Sequence, residues 1–288
     1  MPRLYTTIEV VEPHLASRGR PVDVMQRTFN RALHYLRPLV PPVGWEVLQT
    51  MQSYSRGGPL VALPPHRRVL VLSPHPDDEV IGCGGTAALL ARREVALRTV
   101  IATSGQHLAV PDLGPAEVAA ARRNDAQRAA SVLGTPSPVF LGFEDGSLAG
   151  SLRALSAAIS DHVADFRPDA IFGPWLFDAH PDHQALAAAV AQAAVPAETE
   201  VWGYEVWAAV PVNRLVDVEK VWDLKERAMA EHRTPAAVFG TAGHLALNRW
   251  RSVHGSGGTG HMEAFLALHH STYRLLAERL EERSAQPG

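Results

Sequence analysis

Two short stretches of this chain are dense in side chains that hold metal ions and move protons. They are Ser73-Pro74-His75-Pro76-Asp77-Asp78-Glu79 and Asp178-Ala179-His180-Pro181-Asp182-His183, and both contain His-Pro-Asp. Imidazole and carboxylate suit Zn²⁺, Fe²⁺ or another divalent ion. A catalytic zinc site has three protein ligands and keeps one position open for water. His75, Asp77, Asp78, His180, Asp182 and His183 are enough for three ligands. A carboxylate and an imidazole are then left over for proton transfer and charge stabilisation. Spacing alone does not tell Asp77 from Asp78. Pro76 and Pro181 fix their own φ and push the preceding histidine toward an extended backbone, which stiffens each turn. One such turn alone would read equally well as a helix start, with aspartate as cap and proline in the first turn. Two of them at matching places in one sheet favour chemistry.

The elements around these turns are strands alternating with helices. An apolar run over residues 67–73, with Val69, Leu70, Val71 and Leu72, predicts a buried strand. Further strands are expected over residues 97–103, 139–143, 169–173 and 200–208. Helices are expected over residues 79–93, 115–133, 148–166, 183–194, 222–232 and 261–282, with Gly134 stopping the second of these. This alternation predicts a Rossmann-like α/β fold, a mainly parallel sheet with helices on both faces. Ligands in such sheets bind outside the carboxyl ends of the strands. Both His-Pro-Asp turns follow a strand and precede a helix, so both are expected at that rim. Residues 66–288 are read as a single catalytic domain. Residues 1–65 read as a helical N-terminal extension, with helices over residues 22–36 and 45–54, and as a candidate contact between copies in a homo-oligomer.

Composition narrows the classes further. The 27 basic and 30 acidic side chains give a net charge of -3, so no basic excess exists to neutralise nucleic-acid phosphates. A single cysteine, Cys83, rules out an internal disulfide and a Cys-rich metal cluster. No apolar run reaches the roughly 20 residues of a membrane span, and no secretory signal is visible. The expectation is a cytoplasmic protein with a small-molecule partner.

The first segment, with its continuation Val80-Ile81-Gly82-Cys83-Gly84-Gly85-Thr86, resembles the signature of the LmbE-like, or PIG-L, family of metal-dependent N-acetylglucosaminyl deacetylases. The second segment is similar to that family's downstream His-Pro-Asp-His. Arg122 with Asp125, Asp145-Gly146, Lys225 with Ala228 and His232, and Glu263-Ala264-Phe265 resemble later family segments. The resemblance implies that His75, Asp78 and His183 bind the metal, zinc by preference. It implies Asp77 as the general base and His180 as the group that stabilises the oxyanion or protonates the leaving amine. Asp182 would orient an imidazole, and Arg122 and Asp145 would contact the sugar. The implied reaction removes the N-acetyl group of an N-acetylglucosamine-type amino sugar or its conjugate, releasing acetate. His232-Arg233-Thr234-Pro235 departs from the family pattern, a difference that concerns the substrate pocket. Two alternatives share the motifs: a family amidase acting on a thiol-sugar conjugate, and a non-catalytic carbohydrate-binding protein.

Other signals are set aside. Gly255-Ser256-Gly257-Gly258-Thr259-Gly260 fits Gly-x-Gly-x-x-Gly but follows no apolar strand, so a dinucleotide site is not expected. A mobile loop near the active site is. Cys83 reads as a close-packing residue, and His269-His270 as surface or packing residues. His261 is read as a helix start. The tryptophans are read as mostly core, with Trp175 as the one that could stack on a sugar.

Overall fold

The computed structural model describes residues 60–284; the helices expected over residues 22–36 and 45–54 lie outside them. In chain order the strands are β1 (Leu60–Val61), β2 (Arg68–Ser73), β3 (Ala96–Thr103), β4 (Val139–Phe143), β5 (Ala170–Pro174), β6 (Glu200–Tyr204), β7 (Arg214–Asp217) and β8 (Met262–His269). The helices are α1 (Asp78–Ala91), α2 (Pro115–Leu133), α3 (Leu152–Phe166), α4 (Pro181–Gln192), α5 (Trp222–Glu231), α6 (Arg233–Ala236), α7 (Ala242–Gly255) and α8 (His270–Ser284). The strands form one sheet in the order β1-β7-β8-β6-β5-β2-β3-β4. All neighbours run parallel except β8, which is antiparallel to both β6 and β7.

Period-two alternation builds the two faces of this sheet. Val69 and Val71 of β2 enter one buried cluster with Val80, Leu90 and Met229. Leu70 and Leu72 enter the cluster on the other side with Leu155, Ile159 and Leu186. Helices therefore cover both faces, as the alternation of strands and helices requires. Gly134 ends α2 in the left-handed conformation, φ 72°, where glycine carries no Cβ penalty.

The topology fixes where a site can form. From β2 the chain moves outward to β3 and β4, then returns to the opposite flank of β2 as β5 and continues to β6. The crevice between the carboxyl ends of β2 and β5 is thus a switch point, the usual ligand site of open α/β sheets.

One expected element is corrected. Residues 261–282 are not a continuous helix: Met262–His269 is a strand, and the helix begins at His270. Met, Glu, Ala and Leu are good helix formers, so local propensity misleads here. Both faces of β8 are buried, Met262 and Ala264 in one cluster, Phe265 and Ala267 in another. Pairing on both edges, with β6 and β7, overrides propensity. Four further elements, β1, β7, α6 and α7, have no counterpart in the sequence reading, and β1 lies within residues 1–65, which read from the sequence as a helical extension.

Candidate active site

The two His-Pro-Asp turns meet at the switch point because β2 and β5 are direct neighbours, Val71 opposite Phe172. The ring centroids of His75, His180 and His183 lie 4.9–5.4 Å apart. Asp78 Oδ2 sits between two imidazoles, 3.1 Å from His75 Nδ1 and 3.2 Å from His183 Nε2. Each histidine has a carboxylate behind its other nitrogen. His75 Nε2 lies 3.1 Å from Asp145 Oδ1 and 3.2 Å from Asp182 Oδ2, and His183 Nδ1 lies 3.2 Å from Asp178 Oδ1. Carboxylates in that position fix the tautomer and orientation of metal-binding histidines.

Charge follows geometry. Burial alone would lower the His183 pKa, but Asp78 and Asp178 overcome it and hold the group at about 9. His75 is likewise raised, against its own burial, by Asp145, Asp182 and Asp78. The wholly buried Nε2 of His183 lies close to Asp78 yet out of line for a hydrogen bond. Two imidazole nitrogens packed this closely on one carboxylate oxygen, one of them buried without a hydrogen bond among the described residues, suit a divalent ion. His75, Asp78 and His183 can hold one. His75, His180 and His183 also bring one nitrogen each within 4.8 Å of one another, as do His75, Asp145 and Asp182 with a nitrogen and two carboxylate oxygens.

The cap reading of these turns fails on their hydrogen bonds. Asp77 precedes α1 without capping it through its side chain. Asp182 does not cap α4: His180, in an extended conformation before Pro181, accepts the Asp182 N–H at Nδ1 instead. The Asp182 carboxylate reaches the next loop, accepting from Gly146 N at 2.7 Å and Leu148 N at 3.1 Å.

Asp77 is held in a strained backbone state, φ 146°, which non-glycine residues adopt only where the surroundings impose it. Its N–H donates to Glu79 Oε2 at 3.1 Å, and Ser73 Oγ donates to the same oxygen at 3.0 Å. Its Oδ1 accepts from Arg122 Nη2 at 3.0 Å. Burial raises the Asp77 pKa to about 6, with Arg122 holding it from going higher. Arg122 is itself buried and also donates to the carbonyls of Pro76 and Gly105. Its partner is the carboxylate next to Asp78, with the guanidinium at the cleft wall.

A break in α1 supports this turn. Cys83 leaves helical geometry (φ -145°), freeing backbone groups on either side. Glu263 accepts from Gly85 N, Thr86 N and Thr86 Oγ1, and Lys225 Nζ donates to Ile81 O at 2.8 Å. Lys225 and Glu263 bond each other at 2.6 Å, 1% and 0% exposed. Gly82 is required here, since a Cβ would stand 2.2 Å from the Tyr204 ring. Cys83 is buried and its thiol is pushed up by burial, so packing is its role.

The turns open into a cleft of about 320 Å³, lined by His75, Asp77, Arg122, Asp145, His180 and Trp207 among others. Sequence reasoning missed Asp178, Trp207 and Phe239. Asp178 stood within the second motif, but no spacing rule ties it to His183. Trp175 is 9% exposed and packs with Phe177, so it is core and Trp207 takes the place at the cleft. The glycine loop lies between α7 and β8, and none of residues 255–261 lines the cleft. His261 precedes a strand, stacks on Trp222 with centroids 3.7 Å apart and lies 2.8 Å from Glu219. His270 is buried and His269 exposed, as packing and surface residues.

Fold and site together define an α/β protein with histidine–carboxylate chemistry at the switch point of a mainly parallel sheet. More particularly, residues 70–194 match the PIG-L family, described as GlcNAc-PI de-N-acetylase. The chain is 33% identical over 137 residues to a probable N-acetyl-alpha-D-glucosaminyl L-malate deacetylase 2 of Bacillus anthracis, a match covering 44% of this chain and 59% of that protein. The structure resembles the N,N'-diacetylchitobiose deacetylase of Pyrococcus horikoshii, with TM-score 0.63, 25% identity, and 73% and 86% of the two chains covered. It also shares its fold with a 4-carboxy-2-hydroxymuconate hydratase of Pseudomonas putida, TM-score 0.53 at 22% identity over 70% and 96% of the chains. The fold alone therefore does not define the reaction. No helix among the described residues is long and apolar enough to cross a membrane.

Proposed function

We propose that this chain is a zinc-dependent hydrolase that removes the N-acetyl group of an N-acetylglucosamine-type amino sugar or its conjugate. One observation carries the reading: Asp78 Oδ2 lies between His75 Nδ1 and His183 Nε2, and carboxylates back both imidazoles. The deacetylase names of the relatives supply the substrate class. His75, Asp78 and His183 would hold the ion, which when bound would polarise the acetamide carbonyl and acidify water.

The residues around it do the rest. Asp77, with its pKa near 6, is deprotonated at neutral pH and takes a proton from the attacking water. His180 lines the cleft, and burial lowers its pKa, so its ring is neutral. Its Nδ1 accepts the Asp182 N–H, which puts the ring proton on Nε2. That N–H donates to the oxyanion as the water oxygen bonds the acetyl carbon. When the C–N bond breaks, Asp77 passes its proton to the amine, and acetate and free amine leave. Asp182 orients the His75 ring, and Asp145 shares that task. Asp145, on the cleft wall, and Arg122 also face the sugar.

Mass-spectrometric detection of acetate and amine from a panel of N-acetylglucosaminides, with zinc-loaded protein, tests this. Loss of 42 mass units from the sugar is expected, on the mass of one acetyl exchanged for hydrogen. Full activity in chelated, metal-free protein would end the proposal.

A further inference from the structure

One wall of the cleft has no part in the hydrolysis described above. Trp207 and Phe239 line the same cleft as the two His-Pro-Asp turns, their rings edge to face with centroids 6.0 Å apart. Trp207 is 48% exposed, a large apolar area left open to solvent. It is nevertheless firmly placed. Its backbone N–H donates to Asp178 Oδ2 at 3.0 Å, the carboxylate whose other oxygen faces His183. The His244 ring packs edge-on against it at 5.2 Å. The following backbone is tied down by a buried ion pair, Glu205 with Arg251: Val210 N donates to Glu205 Oε1 at 2.8 Å, and Arg251 Nη2 donates to Val210 O at 3.0 Å. A surface held in place this way costs little ordering when a ligand arrives.

The charges around this wall select among ligands. Among the described residues lining the cleft, Arg122 is the one permanent cation, and Asp77 and two carbonyls occupy it. His107 Nε2 lies 2.9 Å from Glu144 Oε1. Asp77 and Asp145 add negative charge to the lining, besides Asp78, which would be taken up by the ion. A dicarboxylate or phosphate on the sugar would lose water against Trp207, Phe239 and Leu108 without a free cation to meet it, which is unfavourable. The C–H face of an uncharged pyranose has the opposite match, apolar area against an aromatic face.

We propose that Trp207 and Phe239 bind an uncharged second sugar ring linked to the acetylated one, so the substrate is a neutral oligosaccharide-type conjugate and not an acidic one. This rests on the deacetylase reading and names the substrate within it. The test measures kcat/KM of the zinc-loaded full chain on N,N'-diacetylchitobiose, N-acetylglucosamine, and the malyl and inositol-phosphate N-acetylglucosaminides. The disaccharide is expected to be preferred. Trp207→Ala should lower the disaccharide-to-monosaccharide ratio by on the order of tenfold, the loss of one well-packed aromatic contact, and Trp207→Phe should restore most of it. An acidic conjugate turned over as well as the disaccharide, or an unchanged ratio in Trp207→Ala, would overturn the proposal. Should none of the four be hydrolysed, the deacetylase reading falls. Fluorescence titration with N,N'-diacetylchitobiose then decides the wall by itself: quenching abolished in Trp207→Ala supports it, and no quenching overturns it.

Discussion

Arg122 Nη2 and Asp77 Oδ1 stand 3.0 Å apart with both side chains buried, so the proposed base has a cation fixed against it. Burial raises Asp77 to about 6, and Arg122 opposes that rise. A base acts when deprotonated, so kcat/KM climbs with pH through its pKa. Removing the cation in Arg122→Gln favours the protonated form and moves the acid limb to higher pH. Arg122→Lys should move it back part of the way. A pH–rate profile whose acid limb is the same in wild type and Arg122→Gln would refute this assignment.

Metal loading should release protons. His183, held at about 9, is protonated at neutral pH in the metal-free protein, and an imidazole must shed its proton to bind an ion. Zinc titration calorimetry in two buffers of different ionisation enthalpy should show proton release near pH 7.5, shrinking as the pH passes 9. Chelation should abolish turnover, and added zinc should return it. Binding with no buffer dependence at pH 7.5 would contradict the assigned ligands.

Lys225 and Glu263 form a buried pair in which the carboxylate also serves the broken helix. Removing one partner leaves the other charged and buried, at a cost of about 3–5 kcal/mol. Glu263→Gln and Lys225→Met should each lower the unfolding free energy measured in urea by that margin. A change under about 1 kcal/mol in both would show that the break in α1 is held by something else.

His232 sets an acid limit on stability. Among the described residues neither ring nitrogen has a hydrogen-bond partner, and burial lowers its pKa to about 4. The unfolded chain keeps an ordinary histidine near 6.5. Between these values the unfolded state binds more protons, so stability is whole above about 6.5 and falls as the pH drops toward 4. The loss is on the order of 3 kcal/mol. His232→Leu should flatten this part of the unfolding profile, and an equally steep slope in the variant would rule the residue out.

The sequence shows the two His-Pro-Asp turns and the strands that bring them together, because proline restriction and apolar alternation are local signals. Asp178 escaped because its tie to His183 runs across a turn with no periodicity. Trp207 and Phe239 escaped because loops place them, and no local pattern says which way a loop side chain faces. β8 escaped because its residues favour helix, and only the presence of β6 and β7 on either edge makes it a strand. The resemblance implies that Arg122 contacts the sugar; that it also donates to Asp77, Pro76 and Gly105 was not legible in the sequence. The pairing across 45 residues needed coordinates.

Among the described residues, β8 alone joins the β7–β1 edge to the remainder of the sheet. On a growing chain, β1 and β7 would emerge long before the strand that fastens them, and Lys225 would wait without its counter-charge. A nascent chain halted near residue 260 would thus carry both His-Pro-Asp turns and still lack the piece that steadies the helix beneath one of them. Competence arrives late in synthesis, with the sheet closing from its middle.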